Sequence, residues 1–170
     1  MDVVLFISPT ELKQSSLIDG QVDNDKILFI IESAQDMHIQ NILGTNLYRK
    51  LSALKLSGDI DLPANEAYKT LLEEYIKKVL IWSAQKDYVA LAAFQISNGG
   101  VFKHLSENSQ SVTLEDIQWV MSQVQTKADF YQRRFLDYIC GNSSDYPEYS
   151  QLADDGMAPD QEQSVSTWNI

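Results

Sequence analysis

The chain has 170 residues and a formal charge of −11, with 13 Lys and Arg set against 24 Asp and Glu. That length fits one domain, or one domain with an appended segment, and 44% hydrophobic content supplies a real core. The lone Cys140 excludes an internal disulfide and zinc-site spacing, the apolar runs are too short for a membrane span, and Met1-Asp2-Val3-Val4 lacks the basic start of a secretory signal. The expectation is therefore a soluble protein of a reducing cytoplasm. Nucleic-acid binding as the main task is disfavoured, because neutralising phosphates needs Lys and Arg, and here they are outnumbered and scattered.

In chain order, Val3–Ile7 is apolar and too short to separate a brief strand from an anchor. Ser8-Pro9-Thr10-Glu11 has an N-cap serine, a proline at the first helical position and a capping-box glutamate, so a short helix follows to about Gln14. A second helix starts near Asp23 to Asp25, where carboxylates favour a helix N-terminus. It places Ile27, Ile30, Ile31, Ala34, His38 and Ile42 on one face and Glu32, Asp36 and Gln40 on the other. Gly44 can end it in a left-handed conformation, with Thr45 capping a short helix that groups Leu47, Leu51 and Leu54. Ser57-Gly58-Asp59 reads as a turn.

Pro63 opens a long helix predicted to end near Ile96 and to form the centre of the core. From Val79 onward its apolar residues lie on nearly every side, which other helices must wrap. Asn98-Gly99-Gly100 is expected to stop it, and Val101–Val112 to form a loop. Thr113, with Asp116 three residues on, begins a last helix that Gly141 ends. Its core stripe is Ile117, Val120, Met121, Val124, Ala128, Tyr131, Phe135 and Ile139. Trp119 and Phe130 lie about three turns apart on the opposite side, so that back face can receive a second neighbour.

The predicted fold is mainly α: a compact helical bundle around a long central helix, with an extended acidic C-terminal tail. The body is 1–141 and the arm 142–170. From Asn142 to Ile170 there are six acidic residues and no Lys or Arg, together with two of the four prolines. Disorder and a docking strap are equally compatible with that composition. A strap would use Tyr146, Tyr149, Leu152, Met157, Trp168 and Ile170.

The chemistry-bearing residues form no catalytic constellation. There is no Walker loop, no nucleophile elbow and no paired-histidine zinc helix. Gly99-Gly100 lacks the spacing of a phosphate cradle. His38 on an apolar stripe reads as a core histidine with one hydrogen bond. Cys140 reads as a small buried hydrophobe. Glu73 and Glu74, with Lys77 and Lys78, read as a solvated face with helix-spaced ion pairs. The expectation is no enzyme activity, no cofactor and no metal.

Several segments resemble a known family. Phe6-Ile7-Ser8-Pro9-Thr10-Glu11-Leu12-Lys13, Val22-Asp23-Asn24-Asp25-Lys26-Ile27 and Leu43-Gly44-Thr45-Asn46-Leu47-Tyr48 lead the match. It continues through Ala34-Gln35-Asp36, Ile39-Gln40, Gly100-Val101, Ser106-Glu107-Asn108-Ser109, Val112-Thr113-Leu114-Glu115-Asp116-Ile117, Phe130-Tyr131 and Tyr146-Pro147-Glu148-Tyr149. The chain resembles the head–tail connector (neck adaptor) subunits of tailed bacteriophages, including crAss-like phages. The Leu-Gly-Thr-x-Leu-Tyr segment is the most specific part.

That resemblance implies a structural virion protein at the head–tail interface, assembled in the host bacterial cytoplasm. It implies a homo-oligomeric ring, usually of twelve copies, that contacts the portal protein and tail or other neck proteins. Such a ring forms part of the channel through which DNA leaves without specific binding. Twelve copies would sum to about −132, a sign that repels phosphate. The interface candidates are Trp119, Phe130, Tyr146, Tyr149, Trp168 and Ile170, the last two as anchors toward a neighbour. The alternative is a small acidic helical binding module, a host-protein inhibitor or nucleic-acid mimic.

Overall fold

Ser8 opens the first helix, α1 (Pro9–Ser15), through a reciprocal cap: its hydroxyl accepts the Glu11 N–H at 3.2 Å, and the Glu11 carboxylate accepts the Ser8 N–H at 2.7 Å. Burial pushes the Glu11 carboxyl up, but hydrogen bonds from Lys77, the Ser8 N–H and the Ser8 hydroxyl outweigh it and hold the group at about 2. Lys77 is shared at 2.8 Å between Glu11 and Glu73, which ties α1 to the central helix.

In the computed structural model, which describes residues 4–18, 22–92, 94–97, 100–103, 113–151 and 156–160, the fold is mainly α. After α1 come α2 (Asn24–Ala34), a π-helical turn (Gln35–Ile39) and α3 (Gln40–Ser57). Gly58, at φ +78°, caps α3 as the predicted turn requires. Pro63 starts a 3-10 turn rather than the long helix itself. The helix then runs as α4 (Glu66–Thr70), a π-helical stretch (Leu71–Ile76) and α5 (Lys77–Ala92). The hairpin β1 (Phe94–Ser97) and β2 (Gly100–Lys103) precedes α6 (Leu114–Gly141) and the short α7 (Pro147–Ser150).

The expected helix end near Ile96 is thus corrected to Ala92, and part of the expected loop is a strand. β1 and β2 pair antiparallel, with Phe94 opposite Lys103 and Ser97 opposite Gly100. The two residues between them are Asn98-Gly99, the dipeptide that most favours a two-residue hairpin connection. A hairpin competes with a helix stop for that signal, and the Phe-Gln-Ile-Ser alternation before it suits a strand. Residues 104–112 of the expected loop lie outside the described residues.

The core is one cluster, with α5 packed against both α2 and α6. Ile27 and Ile31 of α2, Leu47 and Leu51 of α3, Leu80 of α5, and Phe135 and Ile139 of α6 are fully buried in it. Fully burying one such side chain contributes about 1.5–3 kcal/mol. The α6 stripe is buried at Val124, Ala128, Phe135 and Ile139, as its spacing predicts. Leu136, which that stripe omitted, is buried as well, while Ile117, Val120, Met121 and Tyr131 are half-buried.

The apolar N-terminal run is an anchor, with Phe6 and Ile7 in the core. Gln35, fully buried in the π-helical turn, receives it: Gln35 Oε1 accepts the Phe6 N–H at 2.7 Å. Its amide nitrogen donates to the Val4 carbonyl and to the Tyr48 hydroxyl, both at 2.8 Å. Sequence patterning missed this glutamine because a buried polar side chain has no periodic signature; only its partners reveal it. Gln35→Ala would leave the Phe6 N–H and Val4 carbonyl without protein partners, so a loss of about 1–3 kcal/mol is expected. Urea unfolding followed by circular dichroism measures it, with Gln35→Glu separating lost shape from lost donors.

Candidate interaction surface

The outward side of α6 carries Trp119 at 65% and Phe130 at 53% exposure, as the helical spacing predicts. Lys127, Thr126, Gln123, Arg133 and Arg134 are exposed around them. Phe130 is braced by its neighbours. Phe130 meets Tyr131 edge-on at 5.2 Å between ring centroids, and Tyr131 stacks parallel to Trp82 of α5 at 6.5 Å. Two turns further along the same seam, Tyr138 stacks on Tyr75 at 4.0 Å. Lys127 lies 4.5 Å over the Trp82 ring, and Arg134 lies 6.0 Å from the rings of both Tyr75 and Phe130. These cations are held in place along the α5–α6 seam, which reduces the ordering cost of meeting a partner there.

A second exposed apolar stripe lies on α2 and its π-helical extension. Phe29 and Met37 are each 64% exposed, with Leu28 beside them. Ser33, midway between the first two, donates from its hydroxyl to the Met37 sulfur at 3.7 Å. Asp25, Glu32 and Asp36 are exposed acids of this helix, and exposed Lys26, one turn before Phe29, lies 3.9 Å from Asp23.

The third feature is a break in α3. Gly44 stands at φ +70°, ψ 164°, outside helical geometry and in a region essentially reserved for glycine. In an unbroken helix the Thr45 N–H would bond to the Asn41 carbonyl. Here Thr45 N–H donates to the Met157 carbonyl at 3.0 Å, and the Asp160 N–H donates to the Asn41 carbonyl at 2.9 Å. Residues 156–160 therefore clip into the opened hydrogen bond and satisfy both of its halves. Met157 N–H also donates to the Thr45 hydroxyl at 2.8 Å, so Thr45 receives the clip and does not act as the expected N-cap. A Cβ at Gly44 would meet the Pro159 ring at 2.8 Å, and one at Gly156 would meet Thr45 at 2.5 Å. Both glycines are close-approach positions.

The remaining sequence-predicted site residues fall elsewhere. Tyr146 and Tyr149 are core residues, which corrects their assignment as interface candidates. Tyr146 is fully buried, its hydroxyl donating to the Ala67 carbonyl at 2.9 Å and paired with Tyr138 Oη at 3.0 Å. Burial pushes both phenols up, Tyr149 to about 12. Tyr149 packs edge-on to Phe135, and Glu148, just before it in the chain, accepts from the Tyr68 hydroxyl at 2.8 Å. The packed body therefore runs past Gly141, and the boundary expected there moves beyond α7. Two aromatics three residues apart, behind a proline that starts a helical turn, bury one face however acidic their neighbours are. Trp168 and Ile170 lie outside the described residues.

His38 has one partner, Asp87 of α5, at 3.0 Å, and sits half-buried. Cys140 is exposed, which corrects the expectation of a buried hydrophobe: the inward positions of that last turn go to Leu136 and Ile139. The ion pairs Glu73–Lys77 and Glu74–Lys78 form as the four-residue spacing predicts. Among the described residues, no group of three His, Cys, Asp or Glu side chains is placed to hold a metal ion, and no helix is long and apolar enough to cross a membrane.

These features define a helical protein whose exposed apolar surface is mounted on rigid helices. The chain belongs to a family of unknown function (DUF6712), whose profile matches residues 39–153, more than half of the chain. That span reaches from the end of the π-helical turn through α7, so it includes both the Gly44 break and the buried Tyr146 and Tyr149. No curated protein and no solved structure matches the chain.

Proposed function

We propose that the chain is a structural subunit of a tailed-phage head–tail connector. In this reading, copies form a ring that joins portal and capsid to the tail and forms part of the DNA exit channel. The observation that carries the proposal is the exposed Trp119–Phe130 face of α6, with Phe130 braced edge-on by Tyr131, a surface suited to gripping a neighbour. The resemblance of the Leu43–Tyr48 segment and its companions to connector subunits supplies the assembly. The net charge of −11 per copy suits a passage through which DNA slides without sticking.

The test is to image particles of the source phage and locate the chain with a tagged copy. Several copies arranged at the portal vertex are the expected result. Absence from particles, with recovery instead on a host polymerase or nuclease, would overturn the connector reading in favour of an acidic inhibitor.

A further inference from the structure

None of residues 156–160 is fully buried: Gly156, Met157 and Ala158 are exposed, and Pro159 and Asp160 are half-buried. They are joined to α3 through backbone groups. The Met157 carbonyl accepts the Thr45 N–H at 3.0 Å, the Met157 N–H donates to Thr45 Oγ1 at 2.8 Å, and the Asp160 N–H donates to the Asn41 carbonyl at 2.9 Å. Just before them the chain is fixed separately, by buried Tyr149 of α7 and by the Asn46 side-chain amide on the Gln151 carbonyl at 3.0 Å. A segment with no buried apolar side chain opens locally, at far less cost than the core beneath it. The α3 side of the contact is the reverse: Gly44 is buried and Thr45 is only 4% exposed.

We propose that the Gly44 break is a peptide-binding socket and that residues 156–160 are its displaceable lid. The ligand is a short extended peptide of the pattern Gly-x-x-Pro-Asp, and each position follows from a contact. The first residue must be glycine, because a Cβ there would meet Thr45 at 2.5 Å. The second turns both its N–H and its carbonyl to Thr45, while its side chain, that of Met157, points enough to solvent to vary. The third, Ala158, is exposed. The fourth lies over Gly44, whose missing side chain leaves room for the Pro159 ring. Proline there also brings no N–H that would need a partner. The fifth returns its N–H to the Asn41 carbonyl and sets its carboxylate 3.5 Å from the Asn41 side-chain nitrogen. Main-chain groups carry the binding and close approach carries the selectivity. When the lid lifts, the Thr45 N–H and the Asn41 carbonyl are released to a competing peptide.

Native-state hydrogen exchange on the full, unsubstituted chain tests the lid. The amides of Thr45 and Asp160 are expected to exchange through an opening that urea does not promote, at least about tenfold faster than the amide of Leu51 further along α3, whose opening follows global unfolding. The socket is tested with the free peptide of residues 156–160, blocked at both ends, on the full chain carrying Gly156→Val, which keeps its own lid from seating. The Thr45 amide resonance is expected to shift and to saturate at about millimolar peptide, the scale of a few hydrogen bonds between untethered partners. The unsubstituted chain, with its lid open about a tenth of the time or less, needs about tenfold more peptide. The peptide carrying Gly156→Val is expected not to bind, and the one carrying Ala158→Ser to bind as the parent does.

Thr45 and Asp160 amides that exchange at the rate and urea dependence of Leu51 overturn the lid, since residues 156–160 would then open only with the whole fold. A Thr45 resonance that shows no saturable shift up to about ten times the expected peptide concentration, or that shifts equally with the Gly156→Val peptide, overturns the socket. The connector reading stands or falls separately, on the imaging of particles.

Discussion

A chain cut after Gly141 is expected to lose about 5 kcal/mol or more of stability, a large share of the roughly 5–15 kcal/mol available to a domain. The cut removes fully buried Tyr146 and nearly buried Tyr149 from the core. Large aromatic-to-alanine changes at such sites cost about 3–5 kcal/mol each, and two neighbours do not add in full. The cut also leaves the Ala67 carbonyl without the Tyr146 hydroxyl and Tyr68 without Glu148. A chain cut after Gln151 keeps α7 and the Asn46–Gln151 hydrogen bond, and is expected to stay near full-length stability less the contribution of the clip. Urea unfolding of the three chains decides the matter. If the two truncations unfold at the same midpoint, Tyr146 and Tyr149 contribute nothing to the core.

Gly44→Ala is expected to cost about 2 kcal/mol in the full chain and markedly less in the chain cut after Gln151. Two physical terms set the first number. Alanine at φ +70°, ψ 164° carries a backbone penalty of about 1–3 kcal/mol, and its Cβ meets the Pro159 ring. The second number follows from the clip. Without residues 156–160, nothing occupies the opened bond between Asn41 and Thr45, so this position can turn helical and close it. Alanine is about 1 kcal/mol better than glycine in a helix interior, so the substitution can even stabilise the shorter chain. The difference between backgrounds, read by a double-mutant cycle, measures how strongly clip and break are coupled. Equal losses in both would mean that the break persists without its clip.

The clip also changes how the acidic tail is understood. Composition leaves disorder and a strap open, because acidic, proline-containing sequence suits either. Within the described residues the tail does two separate things: α7 fills the core, and residues 156–160 splice into α3 of the same chain. Both grip the chain's own body.

Local signals carried a large part of this protein by themselves. The caps at Ser8 and Thr113 and the stripe of α6 depend on residues within a few positions of one another. So does the outward placement of Trp119 and Phe130, since helix geometry alone sets which residues share a side. Tertiary structure decided everything that turns on a distant partner. Gln35 is buried because Phe6 and Val4 come to it from about thirty residues away. Tyr146 is inside because Ala67 and Tyr138 hold its hydroxyl, and Gly44 breaks its helix where Met157 and Asp160 fill the gap. A sequence window records which face a residue takes; which surface then covers that face is settled only when remote segments meet and exchange their water for one another.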